Sequence, residues 1–482
     1  MANDEIELTV TNPSHGHSLQ HNVAKYSPEC LICKESGKPE FYKCHLCDFN
    51  LCPACARKPL IVEPKRSHEH PLTLMPKSSF IFTCIACGVG DLRSPLCLCI
   101  PCCFTIHREC VDLPRVICIN LHDEHRISFV LPLGVGAWKC GVCRKKVDGE
   151  YGAFSCSTCP NYAVHSRCAI KWEVWDQIEL EGVPEEDPQE IAPFTVLGDD
   201  VIKHFSHEHN LKHIIQDAAE AAHYESKQCN ACILPVYSDP CYICTNNECD
   251  FILHKVCANL PKMKRHPADP ERFSLFTEDV GGISCSCCKQ IGSGFAYIAL
   301  GCVIDIRCAL IRNGLIHKSH PHSPLFFLFR AGRSAICSNC NQNNFYMMSC
   351  DECDNFCLCF RCATLPSVVK NKYDQHPLYL SYGENTNGEY WCEICEERTD
   401  PNKWFYTCDE CSSTLHITCV LGRKPYFRKG FIHKSEDSEI QILPNDYMTR
   451  PHCRRCSSRC EGPLVMKTLT LKDWFRCFNC TV

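Results

Sequence analysis

The sequence has no long hydrophobic run. Its longest apolar stretches, such as PLFFLF at 324–329, are short and interrupted, so neither a membrane span nor a set of large cores is expected from its 482 residues. The first residues, MANDEIELTV, hold no basic segment followed by an apolar one and a small-residue cleavage site, and secretion is not expected. Disulfides thereby lose their usual compartment. HExxH and the His-x-Glu deaminase signature are missing, and so is any surplus of basic charge, since 50 Lys and Arg stand against 56 Asp and Glu.

What the chain holds instead is 47 Cys and 24 His, so about one residue in seven can bind a metal, several times the usual share. The cysteine count is odd, and disulfides have no use for histidine. Both facts turn the expectation from covalent staples to zinc. The formal net charge is −6 with every thiol neutral; zinc binds thiolates, which brings the loaded chain to roughly −17. So acidic a body repels nucleic acid and anionic lipid as a whole.

One pattern recurs seven times: a His pair, Cys-x2-Cys, a second Cys-x2-Cys, then His-x2-Cys. The lead histidines are His15, His68, His122, His207, His266, His320 and His376. After Cys168 the period is stretched by an acidic segment with three prolines and no cysteine, which predicts a linker over 171–203, helical at its start. It divides the chain into a block of three modules and a block of four.

The fourth repeat shows the grammar best. Its candidate ligands are His207, His209, Cys229, Cys232, Cys244, Cys249, His254 and Cys257, and eight ligands make two tetrahedral zinc sites. Cys-x2-Cys points two sulfurs at one metal, and His-x2-Cys places its ligands on one face of a helical turn, so each pair is half a site. The apolar residue before the last His or its substitute (Leu51, Ile106, Val164, Leu253, Leu358, Leu415) is expected to fill the small core between the metals, joined by Phe49, Phe104 and Phe251.

These segments, CDFILHKVCANLP and CDECSSTLHITCVLG above all, resemble the plant divergent C1 modules, cysteine/histidine-rich relatives of the zinc domain that binds diacylglycerol in protein kinase C. The resemblance covers about residues 15 to 419. It implies small zinc-stabilised β-rich modules with a short terminal helix, in a tandem array of seven C1-like repeats plus a C-terminal four-Cys zinc site. It also implies a cross-braced pairing: the first knuckle shares a zinc with the terminal His-x2-Cys, and the leading His pair shares one with the second knuckle.

On that pattern module 1 (15–55) uses His15, His17, Cys30, Cys33, Cys44, Cys47, Cys52 and Cys55. Module 2 (68–110) uses His68, His70, Cys84, Cys87, Cys99, Cys102, His107 and Cys110. Module 3 (122–168) uses His122, His125, Cys140, Cys143, Cys156, Cys159, His165 and Cys168. Module 4 spans 207–257. Module 6 (320–362) uses His320, His322, Cys337, Cys340, Cys350, Cys353, Cys359 and Cys362.

Two modules depart from it. In module 5 (266–308), Cys285, Cys288, Asp305 and Cys308 build one site, while Cys302 has no knuckle partner and Asp269 stands where a second His is expected after His266. In module 7 (376–419), Cys392, Cys395, Cys408, Cys411, His416 and Cys419 are present, but the lead offers only His376, with Asp374 as a substitute partner. In the tail (450–482), Cys453, Cys456, Cys477 and Cys480 form a separate four-Cys site. The spare thiols Cys97, Cys103, Cys118, Cys241, Cys287, Cys357 and Cys460 are expected to be small apolar groups, His204, His213 and His223 packing or surface residues, and the basic runs at 423–434 and 450–460 offsets to neighbouring thiolates.

A catalytic zinc keeps an open position, and these sites are filled, so no enzyme is expected. RING and PHD fingers, the zinc modules of ubiquitin ligases and chromatin readers, begin on a cysteine knuckle and would leave His15 and His17 idle. A lipid sensor of the diacylglycerol-binding kind needs two apolar loops, whereas the knuckles here are joined by short, polar segments such as KESGKPEFYK and EERTDPNKWFYT. The sequence therefore predicts an intracellular scaffold or adaptor, in cytoplasm or nucleus, with about thirteen structural zinc ions. Its partners would be proteins rather than lipid or nucleic acid, contacts of the tail apart, and no membrane span is expected. The family implies stress, hormone or defence signalling.

Overall fold

The computed structural model describes residues 9–12, 17–25, 28–31, 36, 39–57, 61–62, 64, 67–75, 82–90, 94–99, 101–185, 192–215, 227–237, 239–278, 282–327, 335–353, 356–371, 374–384, 388–435, 438–447, 449–460, 462–469 and 474–480. His15, Cys33 and His223 lie outside them. The chain forms two compact units, Met1–Val183 and Pro184–Val482, which hold three and four of the repeats, with the tail in the second.

Module 4 shows how a module is built. Strands Phe194–Gly198, Val201–His204, Leu211–Ile214, Cys241–Cys244 and Ile252–His254 follow one another in one antiparallel sheet, and a single helical turn, Lys255–Ala258, closes it. The register sets Cys241 opposite His254 and Tyr242 opposite Leu253, with Cys244 bonded to Phe251. His254 and Cys244 therefore mark opposite ends of the strand pair, and two metal clusters have room only there. Between them lies the core, Leu211, Tyr242 and Leu253. The six residues Leu51, Ile106, Val164, Leu253, Leu358 and Leu415 are all buried, as expected of side chains too apolar to face water.

The knuckle has a fixed backbone. In modules 2 to 7 and in the tail, the residue after the second cysteine of the first knuckle has positive φ (Gly88, Arg144, Ile233, Lys289, Asn341, Glu396, Ser457; 54–68°) and donates its N–H to the first cysteine's carbonyl. A β-branched residue such as Ile233 is strained in this region, so the closed turn overrides local preference.

The linker differs from expectation. Val174 and Trp175 are buried, the Asn120 N–H donates to Val174 O and the Leu180 N–H to Val116 O, so 171–183 folds onto module 3 without a helix. Two apolar side chains that module 3 can cover account for this. At the other end, Phe194–His204 supplies two strands of the module 4 sheet. The C-terminal sheet likewise begins before residue 450, running through Ile432–Ser435, Ser438–Pro444, Leu464–Thr468 and Trp474–Arg476 over a core of Phe427, Phe431, Ile442, Leu464 and Met466.

Candidate metal centres

The hairpin turn carrying the lead His pair and the turn carrying the second knuckle lie at the same end of each sheet. Their ligand atoms meet: His68, His70, Cys99 and Cys102 lie within 4.8 Å of one another, and so do His122, His125, Cys156 and Cys159, and His207, His209, Cys244 and Cys249. At the other end the first knuckle meets the helical turn, where the same holds for Cys84, Cys87, His107 and Cys110 and for Cys140, Cys143, His165 and Cys168. Nine further groups of three or more such residues occur among the described residues. The pairing is cross-braced, with the outer ligand pairs of the repeat interleaved.

Across these clusters the sulfur to imidazole separations run from 3.1 Å (His376 to Cys411) to 4.0 Å (His107 to Cys110). A tetrahedral zinc with bonds of about 2.3 Å to sulfur and 2.0 Å to nitrogen holds its ligands roughly 3.4–3.8 Å apart, so the donor sets fit the ion. In the terminal pair Nδ1 faces the sulfurs, 3.3 Å from Cys143, Cys232 and Cys395 in His165, His254 and His416. The other ring nitrogen is anchored by Lys146 O in His165 and by Pro235 O in His254, which fixes tautomer and ring orientation. The first knuckle cysteine accepts the backbone N–H of the terminal pair at 3.4 Å in modules 2, 4, 5, 6 and 7. Hydrogen bonds from Cys110 and Cys87 bring Cys84 down to about 3, and one from Cys168 does the same for Cys140. These two first-knuckle clusters thus each hold a thiolate ready for a cation.

In module 1, His17 Nδ1 is 3.8 Å from both Cys44 and Cys47, and Cys30 and Cys52 share a buried cluster with Cys55 against it. In module 6, His322 is 3.1 Å from Cys353, beside His320 and Cys350, and Cys340 is 3.7 Å from Cys359, beside Cys337 and Cys362. In module 7, Asp374 and His376 both reach Cys411, at 3.8 and 3.1 Å, next to Cys408, so the carboxylate lies beside the single lead histidine at the place of a second ligand. In the tail, Cys453 is 3.7 Å from Cys480 and Cys456 3.8 Å from Cys477.

Four segments of the chain, 13–56, 120–169, 205–258 and 371–420, match the family model of the C1 domain, and 440–481 matches that of the C-terminal C1 domain-like region. The chain is a C1-domain-like, cysteine/histidine-rich protein. No curated protein and no solved structure matches it significantly. Modules 2, 5 and 6, between the matched segments, have sequential four-stranded sheets like the C1 modules 1 and 7.

The C1 register corrects the reading of module 5. His266 is not a lead histidine: it is buried, its Nε2 lies 3.2 Å from Cys308 O and its Nδ1 accepts the Ala268 N–H. His204 and His317 occupy the same place in modules 4 and 6, each accepting the N–H two residues on. The lead pair of module 5 is then Asp269 and Glu271, and Ala299 sits where Cys244 sits in module 4, opposite Cys302. Cys302 takes the place of Phe251. What remains is the other site, where Asp305 Oδ2 is 3.0 Å from Cys288 and 3.7 Å from Cys308.

Phe104, partly buried against the core of module 2 as Phe49 is buried in that of module 1, and Phe251 have a further role. They stack on the lead histidines His68 and His207 at 4.3 and 4.1 Å, as Tyr162 does on His122 and Phe356 on His320. The aromatic positions the imidazole, a role that spacing alone did not distinguish from packing. Of the spare thiols, Cys97, Cys241, Cys287, Cys357 and Cys460 are buried, and burial pushes Cys97 up to about 11 and Cys460 up to about 12. In the tail, Arg455 donates to Cys480 O at 2.7 Å and Arg454 lies over the Trp474 ring, both residues staying exposed.

Proposed function

We propose that the chain is a non-enzymatic scaffold whose zinc ions are structural and whose exposed loops hold partner proteins. The observation that carries this is the filling of the clusters: four protein donors converge in each of the five groups named above, leaving no coordination position for a substrate. Upon these frames sit single exposed apolar side chains that differ from module to module, among them Ile336 (66%), Phe345 (74%) and Trp391 (55%), all close to first knuckles. Each is a small anchor; several engaged together give useful affinity through effective concentration. No helix among the described residues is long and apolar enough to cross a membrane. The thiols gathered into ligand clusters favour a reducing compartment, cytoplasm or nucleus, where thiols persist, and with it a part in intracellular signalling.

The test is crosslinking of the zinc-loaded full chain in extract, followed by mapping of the linked residues. A specific partner joined to loops of several modules is the expected result. Partners retained equally by zinc-loaded and chelated protein would contradict it. A companion experiment addresses lipid: the chain is expected to stay in the supernatant when vesicles containing diacylglycerol are sedimented, because its inter-knuckle loops are short and mostly polar. Saturable, diacylglycerol-dependent recruitment would replace the scaffold with a lipid sensor.

A further inference from the structure

Modules 2 and 3 meet at the first knuckle of module 2. The two residues between its cysteines, Ile85 and Ala86, turn their carbonyls to module 3: the Gly152 N–H donates to Ile85 O at 2.8 Å and the Ser166 hydroxyl to Ala86 O at 2.5 Å. Gly152 is required by this approach, since a Cβ there would lie 2.9 Å from Ala86 O. Ser166 opens the helical turn that carries Cys168, and the next residue is Arg167. Its Nη2 stands 3.2 Å from Nδ1 of His107, the ring nitrogen that faces Cys87 at 3.4 Å and Cys110 at 4.0 Å. The Glu109 carboxylate holds the same guanidinium nitrogen from the other side.

We propose that Arg167 of module 3 is an outer-shell residue of the metal cluster in module 2, so that module 2 keeps its metal only as well as module 3 is docked on it. The inference rests on the zinc reading above. A zinc held by three thiolates and one imidazole carries about one net negative charge. A guanidinium at the ligand face is always charged, donates to sulfur and offsets that charge. Outer-shell partners of this kind change metal affinity by about 10–100-fold.

The seam recurs between modules 4 and 5. There the Phe295 N–H donates to Ala231 O at 3.0 Å, in the first knuckle of module 4, and Arg307, at the position of Arg167, lines a small cavity with Ala231 and Cys232. Gly152 and Phe295 both immediately precede the third long strand of their sheets, which leads to the second knuckle in module 3 and to Ala299 in its place in module 5. In modules 2 and 4 that position is Pro95 or Pro240, which has no N–H to give. Each of these two modules thus receives the bond and cannot pass it backward.

The experiment loads the full chain with zinc, challenges it with a chelator, and pulses it with N-ethylmaleimide, reading each cysteine by peptide mass spectrometry. In Arg167→Gln, Cys84, Cys87 and Cys110 are expected to be alkylated about 10–100-fold faster than in the parent, with Cys140, Cys143 and Cys168 unchanged. Arg167→Lys, which keeps the charge, is expected to fall between. Arg361→Gln, at the same position of module 6 but exposed, serves as the control and is expected to change nothing. Unchanged rates at module 2, or an equal rise in modules 2 and 3, would overturn the proposal, the second outcome showing that Arg167 only supports its own module. If chelation leaves the parent's alkylation unaltered, it is the zinc reading itself that fails.

Discussion

Cys257→Ser is expected to unfold module 4 and to release its metal. Cys257 is buried, its sulfur 3.9 Å from His254 Nδ1, and it closes the cluster that ties the helical turn to the first knuckle. A module of about 50 residues buries too little apolar surface to fold alone, and structural zinc supplies roughly 10 kcal/mol or more. Protease digestion of the full chain should open new cleavage sites within 205–258, and zinc content should fall by one to two ions, about one for each cluster lost. Cys302→Ser should lose no metal, because Cys302 lies opposite Ala299, where no knuckle exists. Equal metal loss in the two variants would show that module 5 has a second site.

Asp305→Ala is expected to have the next largest effect, because one carboxylate does three things. Its Oδ2 faces Cys288 and Cys308, its Oδ1 caps the helical turn by accepting the Cys308 N–H at 2.9 Å, and Oδ2 also pairs at 2.8 Å with Arg307, whose side chain is only 6% exposed. Removing the partner of a buried cation costs about 3–5 kcal/mol and losing an N-cap about 1 kcal/mol more. Denaturant unfolding of the full chain should show an early transition with one zinc fewer, about one ion for the one cluster. Asp305→His supplies the ligand used by modules 2, 3, 4 and 7 but leaves Arg307 without its carboxylate. It should keep the zinc and still lose stability. If Asp305→Ala keeps both, the carboxylate is neither ligand nor partner.

Spacing carried most of the site because a knuckle and a one-turn helix are local: the distance between Cys229 and Cys232 is set by the chain, whatever surrounds it. What joins Cys229 to His254, and Cys244 to His207, is sheet register. Sequence leaves that pairing open, and here the resemblance supplied it. The error at His266 came from reading a histidine as a ligand by type. The signal that separates it was present in His204 and His317, which precede the ligand pairs of modules 4 and 6 by three residues. The linker was misread because acidic residues and prolines outweighed Val174 and Trp175, whose burial depends on a surface that only the folded module 3 provides. The seams were not legible, since Ile85 and Ala231 contribute backbone carbonyls, and a carbonyl leaves no trace in residue type.

The central claim, that these clusters are structural zinc sites, is tested most directly by elemental analysis of the purified full chain. About thirteen zinc ions per chain are expected: about fourteen sites, two in each of modules 1 to 4, 6 and 7 and one each in module 5 and the tail, less about one lost at the weaker donor sets. A value near zero with the cysteines in disulfides, or iron with the absorbance of iron–sulfur clusters, would contradict it.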